Sequence, residues 1–437
     1  MKISIDLNSE IGPFFNIEKD KMIVQLHDTL ISYMTKNELK KLLSKKFNIY
    51  DLNLIFSLKN PEFNVILTSD YHLPEKTRIL KYLKFILSRK IYDRLRNKYT
   101  KRKIYYITRN SNIPLIGSIY FALIDRVTNL LQIRPITGCL LNCPFCSVDE
   151  GPRSKTRMID YIIEPNYIFD ETNRIVDFKD CDDIEIHIDG QSEPLTYPYL
   201  IDLISRYSEM SEIKVISIQT NGLLLNEKRI ENLRRAGLNR INLSINSLDK
   251  RQAKFLAGKK DYEIDKVIDL IDIILENNLE ILIAPIIIPG INDNQIEPII
   301  RLMLEKDIDN KWPIFGFQKY IPYQFGRKMS VKNESFDTFN KKLRNLEEKY
   351  GVKLLLSPED FNIQKVKAPE NPIKKKSIIK AKIVLPGRIY INENKKEMLG
   401  VAKNRLIHII NTNSRINEVK KIKIFRNKHN INYGKVI

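Results

Sequence analysis

A chain of 437 residues that is 43% apolar, with 20 Tyr and 18 Phe, is long enough for two or three hydrophobic cores, and its composition excludes a disordered or fibrous protein. The formal net charge of +20 is unevenly spread: residues 371–437 hold 17 Lys+Arg against 3 Asp+Glu, residues 1–130 hold 23 against 12, and the stretch between holds 33 against 38. Four cysteines, three of them within eight residues, exclude an ordinary disulfide framework and point to metal or redox chemistry in a reducing compartment.

The opening "MKISIDLNSEIG" has neither an apolar run nor a small-residue cleavage site, so no secretory signal is expected. The longest nearly uncharged apolar runs, "IPLIGSIYFALI" (113–124) and "ILIAPIIIPGI" (281–291), fall short of the roughly 20 residues needed to span a bilayer. The expectation is a cytoplasmic protein with no membrane partner. The first stretch mixes helical patterns ("TKNELKKLLSKKF", "EKTRILKYLKFILSRKIYDRLRNKY") with a few strands, an α+β extension over 1–125 to which no chemistry is assigned.

Over 126–352 six β-like runs alternate with amphipathic ones. The strands are "LQIRPIT", "DIEIHID", "IKVISIQT", "LNRINLSIN", "EILIAPIII" and "PIFGFQKY"; the helices include "YPYLIDLISRYSEM", "NEKRIENLRRAG", "EIDKVIDLIDIILENN" and "NQIEPIIRLMLEK". Such alternation predicts parallel βα units with right-handed crossovers. Strands covered by apolar packing on both faces should read as continuous hydrophobic runs, yet Glu185, His187 and Asp189 alternate with Ile184, Ile186 and Ile188, and Asn242, Ser244 and Asn246 alternate with Ile241, Leu243 and Ile245. Ser217, Gln219 and Asn221 likewise share one side. The simplest account is a partial (β/α)6 TIM-like barrel with a polar, ligand-filled lumen; "ILIAPIII", apolar on both faces, keeps that lumen from being polar all round.

After residue 352 the alternation stops. Residues 353–375 read as a linker, and 376–437 as a small basic β domain and tail in which "IIKAKIVLPGRIYI" and "EMLGVAKNRLIHII" are short strands and the last residues add strands or stay mobile. The fold class is therefore α/β: the partial barrel, an α+β N-terminal extension and a small C-terminal β-barrel-like domain.

The loop "TGCLLNCPFCSVDEGP" (137–152) follows the first barrel strand and carries Cys139, Cys143 and Cys146 in a C-x-x-x-C-x-x-C spacing. Three thiolates can hold three irons of a 4Fe-4S cluster and leave the fourth iron open for chemistry. The alternative is a structural zinc site of the Cys3His type using His187 or a flanking residue, but no second C-x-x-C or C-x-x-H pair is present. Cys181, at the start of a strand, reads as an inert small hydrophobe. His187 reads as a satisfied barrel-interior histidine, and "TNG" (220–222) as a turn.

The cysteine spacing, with the aromatic Phe145 just before the last cysteine, resembles the radical S-adenosylmethionine (radical SAM) superfamily. Three further segments fit in order. "DGQSEP" (189–194) resembles the Gly-Gly-Glu-Pro motif that receives the methionine amino group, with Gly190, Glu193 and Pro194 matching and Gln191 and Ser192 departing. "LSINS" (243–247) resembles the segment that holds the ribose hydroxyls, through Ser244 and Asn246. "PIIIPGIND" (285–293), with Pro289, resembles the strand whose backbone lies against adenine. The resemblance covers about 131–330 and implies a 4Fe-4S cluster on Cys139, Cys143 and Cys146, with S-adenosylmethionine at Phe145, Gly190, Glu193, Pro194, Asn221, Ser244, Asn246 and Pro289. It further implies a ferredoxin- or flavodoxin-type electron donor, reductive cleavage of S-adenosylmethionine, and a 5′-deoxyadenosyl radical that abstracts hydrogen from a substrate. The residue types agree: a carboxylate suits an ammonium ligand, and a glycine at 190 permits close backbone approach.

No catalytic residue toward a substrate is identified by the sequence. With only Cys181 left over, neither a second Cys-ligated cluster nor a cysteine for methyl relay is available. The surroundings of the cysteine loop resemble archaeal radical SAM proteins of unassigned reaction, and "VLPGRIYINENKKEMLGVAKNRLIHII" (384–410) resembles small RNA-binding β-barrels of the TRAM type. The first expectation is an enzyme that modifies a structured RNA, tRNA or rRNA, gripped by the basic N- and C-terminal regions, with Tyr390, Phe425 and Tyr433 stacking on bases. The alternatives are a radical enzyme acting on a peptide or small metabolite, and a non-catalytic RNA-binding protein with a structural metal.

Overall fold

The alternation of β-branched runs and amphipathic stretches folds, in the computed structural model, into the elements the periodicities call for. The structure describes residues 1–10, 15–59, 61–306, 308–392 and 395–437, so Glu393 and Asn394 in the segment compared with TRAM barrels lie outside the described residues. The chain divides into two compact units, 1–106 and 107–437.

In the first unit the strands Lys2–Asp6, Asn53–Lys59 and Glu62–Thr68 form an antiparallel sheet, and Phe15–Glu18, Lys21–Leu26 and Leu30–Thr35 form a meander. The helix Lys36–Phe47 starts where the Thr35 hydroxyl accepts the Glu38 N–H at 3.2 Å and stops at Asn48 in the left-handed region. The helix Lys76–Asp93 buries Ile79, Leu83, Ile86 and Leu87, one stripe of a 3.6-residue period, in the core formed with Ile5, Leu54 and Val65. The unit has the α+β content expected of the N-terminal extension but ends at residue 106, not 125, because Ala122–Asp125 pairs with the first barrel strand, Leu130–Arg134.

In the second unit five parallel strands, Leu130–Arg134, Ile184–Ile188, Ile213–Thr220, Arg240–Leu243 and Glu280–Ile283, lie side by side in chain order. Ala122–Asp125 adds an antiparallel edge before the first, and a parallel bridge from Ile283 to Phe315 and the pairing of Ile286–Ile287 with Gln318–Lys319 supply the sixth position. Ile184, Ile186 and Ile188 are wholly buried on the helical side, and the helix Ile264–Glu276 covers the sheet with Val267, Leu270, Ile271 and Ile274. Helices Pro165–Lys179, Lys250–Ala257 and Phe336–Tyr350 join the four named from sequence. The result is a partial (β/α)6 barrel.

The C-terminal strands Ile378–Tyr390, Lys396–Ala402, Arg405–Thr412, Val419–Arg426 and Tyr433–Val436 close into a barrel around Ala381, Ile383, Met398, Ile407, Ile409, Ile422 and Ile424. The tail thus supplies the last two staves, because Ile422 and Ile424 alternate inward between outward lysines. The stretch read as a linker packs on the larger barrel. Asn129 Nδ2 donates to Asn362 O at 2.9 Å, Gln364 N donates to Asn129 Oδ1 at 2.9 Å, and Phe361 stacks on Trp312 with centroids 6.3 Å apart.

Candidate active site

The cysteine loop leaves the first barrel strand and is tied at both ends. Gly138 N donates to Gln191 O at 3.2 Å and Glu193 N donates to Gly138 O at 2.9 Å, which joins the loop's entry to the end of the next strand. Cys146 N donates to Cys143 O at 3.1 Å, closing the turn that the two-residue gap between these cysteines allows. Arg327 spans the exit: its side chain donates to Asp149 Oδ1 (2.8 Å), Cys143 O (2.9 Å) and Glu150 O (2.6 Å), and its backbone N–H to Cys146 O (2.8 Å). Two glycines make room. A Cβ on Gly258, whose φ is +61°, would lie 2.0 Å from Asn142 O, and one on Gly326 would lie 2.6 Å from Ser147 O.

Cys139, Cys143 and Cys146 line one cavity of about 230 Å³. Burial pushes all three thiols up from the ordinary range: Cys139 well above it, with Glu193 and Cys143 adding to the effect; Cys143 to about 12, with Cys146 adding; and Cys146 in the same direction. A thiol kept protonated by burial and by its neighbours gives up its proton when a cation binds. N–H groups already point at two sulfurs, Leu141 N at 3.4 Å from Cys139 Sγ and Glu150 N at 3.2 Å from Cys146 Sγ, and Asn221 Nδ2 lies 3.8 Å from Cys139 Sγ. Among the described residues no group of three or more His, Cys, Asp or Glu side chains is arranged to hold a single metal ion. Donor chemistry supplies the fit to an iron–sulfur cluster: three half-buried cysteines whose thiols face one cavity, with hydrogen bonds of the kind that tune cluster sulfur. His187 lines a different cavity, so it does not complete a Cys3His set.

Phe145, Gly190, Glu193, Asn221, Ser244 and Asn246 line the same cavity as the cysteines, all at or beyond the C-terminal ends of parallel strands. Pro194 and Pro289 do not line it; Pro194 is buried in the first position of a short 3-10 turn, and Pro289 is half-buried beyond the fifth strand. The buried Glu193 carboxylate accepts from Thr220 Oγ1 (2.6 Å), Leu195 N (3.2 Å) and Asn221 N (2.9 Å). Burial raises its pKa, and these donors pull it back only in part. Ser244 Oγ accepts from Gln219 Nε2 at 2.9 Å, and Asn246 Oδ1 accepts from Ile286 N at 2.8 Å, so both side chains are held by the neighbouring strands. Asn292, wholly buried in the "IND" segment, donates to Asn246 O at 2.7 Å and to Ile286 O at 2.9 Å.

Behind this rim the lumen is charged in a way sequence reading missed. Arg240 pairs with Glu185, its Nε donates to Asn242 Oδ1 at 3.1 Å, and Ser217 Oγ donates to Glu185 at 2.7 Å. Arg134 grips Asp189 through two bonds of 3.0 Å, and Gln132 adds a third of 2.8 Å. Although burial works the other way, Arg134 holds the Asp189 carboxyl below its ordinary range. The signal was present, since Arg240 shares its strand face with Asn242 and Ser244, and Gln132 and Arg134 share theirs. Arg327 sits in a loop without periodicity and left no such trace. A second cavity, of about 660 Å³, shares Phe145, Ser147, Gln219, Ala284 and Ile286 with the first and continues toward Phe336 and Phe361.

A family model described as the radical SAM superfamily matches residues 133–303. An uncharacterized protein of Methanocaldococcus jannaschii is 39% identical over 419 residues, 91% of this chain and 95% of that one. The GTP 3′,8-cyclase of Clostridium perfringens is 30% identical over 207 residues, 46% of this chain; the match spans 58% of the cyclase. Among solved structures, SuiB of Streptococcus suis bound to S-adenosylmethionine overlaps 66% of this chain and 57% of its own at 18% identity, with a TM-score of 0.39.

Proposed function

Because this chain belongs to the radical SAM superfamily and is an iron–sulfur enzyme that uses a 4Fe-4S cluster and S-adenosylmethionine, we propose that it modifies a structured RNA at a site reached through the barrel lumen. In this reading Cys139, Cys143 and Cys146 hold the cluster. Glu193 takes the ammonium of S-adenosylmethionine, with Gly190 and Asn221 beside it, and Ser244 and Asn246 lie against the ribose. When bound, the cluster and S-adenosylmethionine together supply a carbon-centred radical able to abstract hydrogen. The protein's part is to orient and to keep water out: Phe145, Leu256, Ile288 and Tyr320 pack into one apolar cluster beside the cysteines. A ferredoxin or flavodoxin is the proposed electron donor.

The observation that carries the RNA reading is one face of the C-terminal barrel. On adjacent strands Lys380 stands opposite Lys421, and Lys423 opposite Lys435, with Lys382 in the same outward set; all five are exposed. Among the described residues none of the five has a carboxylate partner. Like charges directly opposed across strands destabilise a sheet, so a polyanion is the partner that relieves them. Phe425, 40% exposed, lies among these lysines. Tyr433 is less suited to stacking on a base, since one face already lies on the buried His408 ring at 4.6 Å. A second reading, a free nucleotide as substrate, draws on the cyclase relative, whose name gives GTP as what it acts on.

The test is anaerobic reconstitution followed by dithionite, S-adenosylmethionine and bulk tRNA, with 5′-deoxyadenosine measured and Cys143→Ala as control. RNA should raise 5′-deoxyadenosine in the parent and not in the control. The slope of log affinity against log salt should flatten by roughly 0.7–0.9 for each phosphate contact removed in Lys421→Glu/Lys423→Glu. RNA that binds without salt dependence and leaves 5′-deoxyadenosine unchanged would end the RNA reading.

A further inference from the structure

The second cavity is walled by rings and amides, and no Asp or Glu is among its described lining residues. Phe317, Tyr320, Phe336 and Phe339 supply flat apolar surface; His187, Gln219, Asn242 and Asn340 supply neutral polar groups; Lys319 is its one cation. Without a carboxylate, the chamber offers an ammonium or guanidinium group no counter-charge.

The hydrogen bonds around His187 fix which of its nitrogens faces that space. The single hydroxyl proton of Ser217 goes to Glu185 Oε1 at 2.7 Å, and the Glu185 carboxylate is itself held by Arg240. Ser217 Oγ can therefore only accept from His187 Nδ1, 2.8 Å away. With Nδ1 carrying the proton, Nε2 is a bare acceptor, and it has no partner among the described residues. Burial lowers the pKa of His187, and Arg240 and Arg134 act the same way, against Asp189 and Glu185 which raise it; the net direction is toward the neutral ring. Gln219 spends its Nε2 protons on Ser244 Oγ at 2.9 Å and Asn242 O at 3.2 Å, so its carbonyl oxygen is a second acceptor. Asn242, whose Oδ1 is taken by Arg240, offers its amide N–H groups.

We infer that this chamber binds a nucleobase, clasped between the aromatic walls, with His187 Nε2 accepting one of its ring or exocyclic N–H groups. The ring of a Phe, Tyr or Trp side chain carries at most one polar handle, whereas this wall offers acceptors and donors together, the pattern a base edge presents. The anion that accompanies a nucleotide meets Lys319. The inference rests on the proposed nucleic-acid reading of the site, and it deepens that reading by naming the group that enters. It also replaces the reading of His187 as a satisfied interior histidine.

The sole tryptophan, Trp312, is stacked on Phe361 of the chamber wall and serves as a built-in reporter. The four ribonucleoside 5′-monophosphates would be titrated into reconstituted full-length protein, following Trp312 fluorescence and confirming by equilibrium dialysis, with tRNA binding measured in parallel. At least one monophosphate should bind saturably. His187→Asn, whose amide takes the place of Nδ1 and leaves the chamber's acceptor missing, should weaken it about fivefold to tenfold, the effect of one neutral hydrogen bond. His187→Gln, which returns an acceptor near Nε2, should stay within about threefold of the parent. Both variants should keep the parent's iron content and thermal midpoint, which separates lost recognition from misfolding. No saturable binding by any monophosphate, or equal loss in both variants, overturns the inference. If tRNA binds while no monophosphate does, the base-binding chamber falls and the RNA reading stands; if a monophosphate binds while tRNA does not, the RNA reading falls and the chamber stands.

Discussion

Arg388 offers the most direct test of how the C-terminal barrel supports the cysteine loop. It sits on the strand Ile378–Tyr390 with its side chain wholly buried, pairs with Glu150 and with Asp160 at 2.8 Å, and donates from Nε to Ile159 O at 3.1 Å. Glu150 is four residues beyond Cys146 and gives its N–H to that sulfur. Arg388→Met keeps the volume but strands two buried carboxylates, at 4% and 0% exposure, without their cation. Breaking a buried pair in this way costs about 3–5 kcal/mol, a large part of the roughly 5–15 kcal/mol by which proteins are stable. For a unit this large that is a fall of about 6–10 °C in Tm, at roughly 2 °C per kcal/mol. Thermal unfolding of the reconstituted protein by circular dichroism measures it, with iron content read alongside. Arg388→Met/Glu150→Gln/Asp160→Asn, which removes the charges together, should recover more than half of the loss. A single variant within about 1 °C of the parent would refute the claim that Arg388 carries this junction.

Two further outcomes are expected. Arg327→Ala removes the bonds to Cys143 O, Glu150 O and Asp149 that brace the loop, and should speed iron release to a chelator at least severalfold, with Arg327→Lys in between; an unchanged rate would make the clamp irrelevant to cluster retention. In the metal-free protein the raised thiol pKa values mean that the unfolded chain loses protons first as pH rises. Stability from these groups is then whole below about pH 8.5, the range of a free thiol, and declines as pH climbs toward the value near 12 held by Cys143. Iodoacetamide labelling at pH 8 should accordingly be far slower in the native apoprotein than in urea, and equal rates would contradict the burial argument.

The candidate site was legible to the extent that it is written in short spacings. Cys139, Cys143 and Cys146 fall within eight residues of one loop, and Gly190, Glu193, Asn221, Ser244 and Asn246 follow the C-terminal ends of three strands whose alternation was plain; all line the cavity. Pro194 and Pro289 were carried in by motif likeness and do not line it, since proline shapes the backbone and presents no polar group. The tail 413–437 was harder to read because its large inward strand residues, Ile422 and Ile424, are too few to separate a strand from a mobile basic end, and the last stave turns only Gly434 inward.

By itself the sequence determined what depends on near neighbours: helix stripes of 3.6 residues, strand faces of period two, and a loop that carries three cysteines within eight residues. Which polar groups meet across the lumen and across the barrels only the tertiary structure decided. Arg240 reaches Glu185 from a strand two places away, Ser217 fixes the tautomer of His187, and Arg388 returns from a distant strand to Glu150. Those pairings depend on register between strands separated by whole helices, and register is set by the packing of the finished core, not by any spacing along the chain.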